Sequence, residues 1–223
     1  MAGNGVYLGA GTATTKVLWH MEGNSNDSSG NGNNGTDTTV SYGLANGKFG
    51  QGASLGGASK IVKATNLGIA GTGAVTISGW WKLTAEIASS YFCFWNFLST
   101  LTAARQFSLY YNYNAGTRRL ELWGAAGVTY SYNISLGNTQ YYNFIATRAS
   151  GSGGNIALYI NGNVVIAPAA SATNTTASDT FGWCFDHGSA FCPSVTDEAI
   201  VENVVWIPSQ IKKYYTFARG RFA

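Results

Sequence analysis

The sequence predicts an all-β chain in which two antiparallel sheets pack face to face, with one short helix at the C-terminal end. Three observations carry this expectation. Apolar and polar residues alternate with a period of two, as in Val75-Thr76-Ile77-Ser78-Gly79-Trp80-Trp81-Lys82-Leu83, the pattern of a strand with one buried face. Only 10% of the 223 residues are charged, against roughly 25% in ordinary soluble domains. Instead 29 glycines and many Asn, Ser and Thr fill the polar positions, a composition of strands and turns. Hydrophobic residues make up 45%, enough for the core of one large sandwich.

The elements follow in chain order. Residues 1–14 have no strand pattern and read as an extended N-terminal arm. The first strand spans 15–21 and leads into an Asn, Ser, Gly and Asp-rich loop. Further alternating runs lie at 52–55, 60–64, 75–83, 91–98, 106–111, 119–123, 129–134 and 141–148. The strands 155–160 and 163–167 are joined by Asn161-Gly162, which tolerates positive φ at both central positions and closes a two-residue hairpin. Gly151-Ser152-Gly153-Gly154 makes a looser connection before them. Two last strands are expected at 180–185 and 199–206. The helix begins at Pro208, suited to a first helical turn, and runs to about Phe217 with Ile211, Tyr214 and Tyr215 as its apolar stripe. No linker interrupts 15–223, so that span is expected to be one domain.

Charge excludes some functions. The net charge is +3, and the one basic cluster is Lys212, Lys213, Arg219 and Arg221. A nucleic-acid partner needs a denser basic face, so none is expected. No apolar run approaches the roughly 20 residues of a spanning helix, so no membrane insertion is expected. The start, Met1-Ala2-Gly3-Asn4-Gly5, has neither a basic n-region nor an apolar h-region, which points to release into the cytoplasm where the chain is made. Cys93 lies among aromatics and reads as a small buried side chain, while Cys184 and Cys192 are spaced to close a loop and are candidates to pair. Four Asn-x-Ser/Thr matches, at Asn26, Asn34, Asn133 and Asn174, are what chance gives in so Asn-rich a chain.

Several segments, in order, resemble the LamG-like domains of the concanavalin A-like lectin/glucanase superfamily. They are Leu18-Trp19-His20-Met21-Glu22, then Asp27-Ser28-Ser29-Gly30-Asn31-Gly32-Asn33-Asn34-Gly35, then Gly47-Lys48-Phe49-Gly50-Gln51-Gly52-Ala53-Ser54-Leu55. Thr76-Ile77-Ser78-Gly79-Trp80-Trp81-Lys82 and Leu158-Tyr159-Ile160-Asn161-Gly162 follow. The ending is Asp197-Glu198-Ala199-Ile200-Val201 with Pro208-Ser209-Gln210-Ile211-Lys212-Lys213-Tyr214-Tyr215. The resemblance covers about residues 17–216 and implies a two-sheet antiparallel jelly-roll sandwich whose two ends are neighbours in space. It also implies one calcium ion near the sheet rim, with Glu22, Asp27 and Asp197 as the matching ligands. Calcium takes six to eight oxygen ligands, and this Asn-rich loop offers few charges. The competing reading makes Asp27 an Asx turn and Asp197 a strand cap.

The same resemblance brings a catalytic question. Laminarinase-like relatives carry two carboxylates on one strand, and the nearest approach here is Asp197, Glu198 and Glu202. Asp197 and Glu198 are adjacent and point to opposite faces, so the spacing does not fit. His20 and His187 have no Ser or Cys partner in a recognisable motif. The chain is therefore expected not to be an enzyme. Aromatic residues crowd the middle strands, and Trp123, Tyr130, Tyr132 and Tyr111 are the candidates for stacking on a sugar ring. Tyr130 and Tyr132 are two apart and share a strand face. Core and inter-subunit packing is the alternative role for these rings.

Low charge suits a surface covered by copies of itself. The expectation is thus a non-catalytic virion surface protein, of the bacteriophage capsid-decoration or fibre type. It would be made in the host cytoplasm, and its partners would be other virion proteins, further copies of the chain and cell-surface glycan. The alternative is an extracellular bacterial carbohydrate-binding or adhesion module, with a glycoside hydrolase behind both.

Overall fold

The computed structural model describes residues 11–56, 60–63, 67–69, 73–85, 91–98, 105–114, 116–124, 127–151, 153–171, 180–185 and 193–220. Residues 1–10 of the expected arm, His187, Cys192 and Asn174 lie outside these. The strands are β1 (Thr15–Trp19), β2 (Thr36–Thr38), β3 (Ser41–Gly43), β4 (Gly52–Leu55), β5 (Lys60–Lys63), β6 (Val75–Leu83), β7 (Tyr91–Leu98) and β8 (Arg105–Asn114). They continue with β9 (Thr117–Trp123), β10 (Thr129–Asn133), β11 (Tyr142–Arg148), β12 (Asn155–Ile160), β13 (Asn163–Ala170), β14 (Thr180–Trp183) and β15 (Ser194–Glu202). Among the described residues one α-helix, α1 (Pro208–Gly220), follows the strands.

Two antiparallel sheets form the sandwich. One runs β13-β12-β11-β6-β15-β4-β3, with β1 added to β15. The other runs β10-β9-β8-β7-β14-β5-β2. The last strand, β15, is the seam of the first sheet. Its first half pairs with β4 and its second half with β1, while β6 lies along its other side. The two halves meet at a bulge between Asp197 and Ile200, where Glu198 has φ +54°. The two ends of the chain are therefore strand neighbours, Trp19 opposite Ala199 and Val17 opposite Val201.

Large aromatics fill the space between the sheets. Trp81 of β6 stacks on Trp183 of β14 with ring centroids 4.2 Å apart. Trp19, Phe94, Trp95, Phe97, Phe144 and Phe181 surround that pair, all fully buried. Gly79 leaves the room for it, because a Cβ there would stand 2.5 Å from two carbons of Trp183. Trp183 Nε1 donates to Thr196 Oγ1 at 3.0 Å, so the buried indole keeps a partner. The outer face of the eight-stranded sheet is covered by α1, whose Ile211 and Tyr214 pack with Trp206 on Leu18, Ile145, Tyr159 and Ile200.

The predicted class, two antiparallel sheets with one C-terminal helix, is the class observed. The differences are local. β2 and β3 are three residues each, too short and too polar to show a period. β15 starts at Ser194 rather than at 199, since its first half buries Thr196 and Asp197 and so breaks the polar-out pattern.

Candidate functional site

Among the described residues no helix packs on the outer face of the seven-stranded sheet, and that face carries a connected set of polar and aromatic side chains. In Arg119-Leu120-Glu121-Leu122-Trp123 of β9, Leu120 and Leu122 are buried in the core, so Arg119, Glu121 and Trp123 point outward together. The register of β8 sets Asn112 opposite Arg119, Tyr110 opposite Glu121 and Ser108 opposite Trp123. In antiparallel pairs, opposed residues share a face, so all six belong to one surface.

Glu121 organises this surface. Its Oε1 accepts Arg119 Nε at 2.7 Å and Asn112 Nδ2 at 3.0 Å. Its Oε2 accepts the Trp123 indole N–H at 3.2 Å. The Glu121 side chain is 6% exposed and that of Arg119 is 35% exposed, so the carboxylate is a buried base beneath a more open rim. Trp123 stands edge-on to Tyr110 at 5.8 Å. Beyond Tyr110 the face closes into a buried polar network, where Ser108 Oγ donates to Asn96 Oδ1 and Asn96 Nδ2 donates to the Tyr110 hydroxyl at 3.2 Å. The result is a half-buried indole fixed by a carboxylate, beside an amide and a guanidinium with donors to spare.

The structure divides the expected sugar-stacking set. Trp123 is on the outer face. Tyr111 is not available to a ligand: it is 1% exposed in the core, with its hydroxyl accepting Leu136 N at 3.0 Å and donating to Ile134 O at 3.3 Å. Tyr130 and Tyr132 do share a face, but the register opposes them to Leu122 and Leu120, so it is the inner one. Tyr130 packs against the core at the sandwich edge and its hydroxyl donates to Ala170 O at 2.7 Å. Tyr132 is 37% exposed at the same edge. Glu121, Arg119 and Asn112, the polar half of the site, were not among the expected residues. The period of two in 119–123 was the signal for them.

The expected calcium ligands are not gathered. Both oxygens of Asp27 are occupied by its own neighbourhood, Oδ1 accepting Leu18 N and Ser29 N at 3.0 Å, Oδ2 accepting Ser29 Oγ at 2.7 Å and Asn33 N at 2.8 Å. That is an Asx turn extended into a loop brace. Glu22 accepts Gln51 N at 3.2 Å, and Asp197 Oδ2 accepts Lys48 N and Phe49 N at 2.8 Å. Glu22 and Asp197 are thus neighbours that hold one turn by its backbone amides. Among the described residues no cluster of three or more His, Cys, Asp or Glu could hold a metal ion. The residues do not fit a shared calcium.

Asp197 is fully buried, and desolvation together with the charge of Glu198 pushes its carboxyl up to about 7. His20 Nδ1 lies 3.0 Å from both oxygens of Glu198, and that hydrogen bond raises the imidazole against the opposing effect of burial. Cys93 is buried with its Sγ donating to Trp95 O at 3.0 Å, and Cys184 is buried.

No protein-family model and no curated protein sequence matches the chain. Solved structures share its fold. Domain 4 of AbnA, a GH43 extracellular arabinanase from Geobacillus stearothermophilus solved in complex with arabinotriose, superposes with a TM-score of 0.69 at 18% identity, covering 91% of this chain and 98% of that domain. The binding domain of Paraclostridial Mosquitocidal Protein 1 gives 0.70 at 13% identity over 93% of this chain and 53% of the other. Botulinum neurotoxin type C, whose cell entry depends on interaction with two ganglioside molecules, gives 0.66 at 14% identity over 92% and 51%. The chain therefore spans about half the length of these two toxin chains. At these identities the likeness establishes the fold, a β-sandwich used by binding domains. It fits the two-sheet sandwich that the motifs implied.

Proposed function

We propose that the chain is a non-catalytic carbohydrate-binding module whose ligand lies on the outer face of the seven-stranded sheet. The observation that carries this reading is the Glu121 carboxylate holding Trp123, Arg119 and Asn112 together on one half-buried face. A flat indole receives the apolar face of a sugar ring, and adjacent amide and guanidinium donors meet its hydroxyls. Two structural neighbours support the ligand class, an arabinanase domain solved with arabinotriose and a toxin that interacts with gangliosides.

Glycoside hydrolysis needs two carboxylates across the scissile bond. Among the described residues Glu121 is the one acid on this face, and its oxygens already accept three N–H groups. This favours binding without turnover. Nothing in the fold or among its neighbours speaks for a virion particle, so the binding-module reading stands ahead of the virion one. A glycan array that includes arabino-oligosaccharides and ganglioside glycans, followed by calorimetry on the best ligand, tests the proposal. Trp123→Ala should weaken that ligand by roughly fivefold to a hundredfold, by analogy with about 1–3 kcal/mol for a base stacked on an aromatic side chain. Unchanged affinity in a folded variant would remove the site.

A further inference from the structure

A second surface lies on the opposite side of the sandwich. There Phe49 and Trp80 meet edge to face at 5.4 Å, and Tyr215 of α1 stacks on Trp80 at 5.9 Å. Tyr141 joins the same cluster, and its hydroxyl donates to Asn46 O at 2.8 Å. Three cations rim it. Lys48 Nζ lies 5.6 Å from the ring centres of both Phe49 and Trp80, Lys82 Nζ lies 5.1 Å from that of Tyr141, and the Arg219 guanidinium lies 5.8 Å from that of Tyr215.

None of these three cations forms an ion pair among the described residues. The nearby acids are turned away from them. Asp197 is buried beneath, with Oδ2 on the amides of Lys48 and Phe49, Glu198 is engaged with His20, and Glu22 accepts Gln51 N. A cation held over a ring face keeps its remaining N–H donors for an outside partner. Arginine presents a fork that fits sulfate or carboxylate, and lysine adds point charges beside it.

We infer that this surface binds an anionic saccharide, one bearing sulfate or carboxylate groups, through Lys48, Lys82 and Arg219. Lys82 stands on β6, Arg219 near the end of α1 and Lys48 in the turn before β4, an arrangement that suits discrete charged groups along a chain. Tyr141 and Tyr215 are half-buried and offer ring faces between the charges. Phe49 and Trp80 are buried, so the rings at the centre of this cluster are not free to insert into a lipid surface. The site is independent of Trp123, so it goes beyond the function proposed above.

Calorimetry on the full chain, with a heparin-derived sulfated oligosaccharide and its desulfated counterpart, decides the matter. The sulfated form should bind, and both desulfation and a rise in salt from 50 to 300 mM should weaken it at least about tenfold. The combined substitution Lys48→Gln, Lys82→Gln and Arg219→Gln should do the same. Its folding is checked by near-ultraviolet circular dichroism, and Lys82→Gln alone serves, with a smaller loss, if the triple variant unfolds. Trp123→Ala should leave this binding unchanged, which separates the fate of this site from that of the other sheet. Equal affinity for the desulfated chain, equal affinity of the folded charge variants, or binding only to phosphatidylserine vesicles would each overturn the inference.

Discussion

Glu121 and Trp123 are joined by a single hydrogen bond, indole Nε1 to carboxylate Oε2 at 3.2 Å, and they sit two residues apart on one face of β9. The same carboxylate takes Arg119 and Asn112 on its other oxygen. One side chain therefore fixes both the apolar and the polar half of the proposed platform. Hydrogen bonds to charged groups contribute about 1.5–3 kcal/mol each, more than neutral ones.

Glu121→Gln tests that arrangement. Gln offers one acceptor oxygen and an NH₂ group, so either the indole or the Arg119 side is left facing a donor. The expected outcome is a loss of about tenfold in glycan affinity with the fold retained. Trp123→Phe should keep part of the stacking and lose less than Trp123→Ala. If Glu121→Gln binds as the parent does, the carboxylate does not organise the site.

Asp27 supplies a second test. Its carboxylate accepts four hydrogen bonds within its own loop and from β1. Asp27→Ala should lower stability by about 2 kcal/mol or more, since it orphans several donors at once. If the role is to brace the loop, the loss in thermal midpoint is the same in excess calcium and in chelator. A loss seen only with calcium present would restore Asp27 as a metal ligand.

The stacked pair of Trp81 and Trp183 makes a third. A methyl group on Gly79 would stand 2.5 Å from Trp183 and 2.8 Å from Trp81. Both rings are fully buried and stacked at 4.2 Å, so neither has room to yield. Gly79→Ala should cost roughly 1–3 kcal/mol by overpacking, or a fall in Tm on the order of 5–10 °C at the upper end for a chain of this size. The near-ultraviolet dichroism of the indoles should change with it. An unchanged Tm would mean that the core is looser than its ring distances imply.

The sandwich was legible because alternation and turn chemistry are local properties. Asn161 and Gly162, with φ +51° and +74°, form the turn that the sequence required. Parity across a loop is not local. The loop after Trp123 sets that residue opposite Thr129, which puts Tyr130 and Tyr132 on the inner side with Leu122 and Leu120. A shift of one residue would have placed both rings beside Trp123. Asp197 and Glu22 were rightly expected to be neighbours, but the donors that occupy them come from the backbone of 48–51, which no side-chain motif displays.

The buried acids predict how stability depends on pH. Asp197 is raised from 3.8 to about 7, chiefly by burial and then by Glu198. Glu202 is raised by burial, against the hydroxyls of Thr14 and Thr15 that donate to it. A carboxyl with a raised folded-state value binds more protons folded than unfolded, so stability falls as pH rises between the two values. For Asp197 that window runs from about 4 to about 7, with an upper limit of about 4 kcal/mol at roughly 1.4 kcal/mol per tenfold. His20 is also raised, mainly by its hydrogen bond to Glu198. Its contribution is complete below the unfolded value and is lost as pH climbs through the folded one, so it acts in the same direction. The protein should therefore melt at a higher temperature at pH 5.5 than at pH 8. Asp197→Asn keeps an oxygen for the amides of Lys48 and Phe49 without burying a charge. The variant should match or exceed the parent at pH 8 and lose that advantage at pH 5.5, so that the two Tm profiles converge toward acid. Parallel profiles would mean that Asp197 does not titrate in this range.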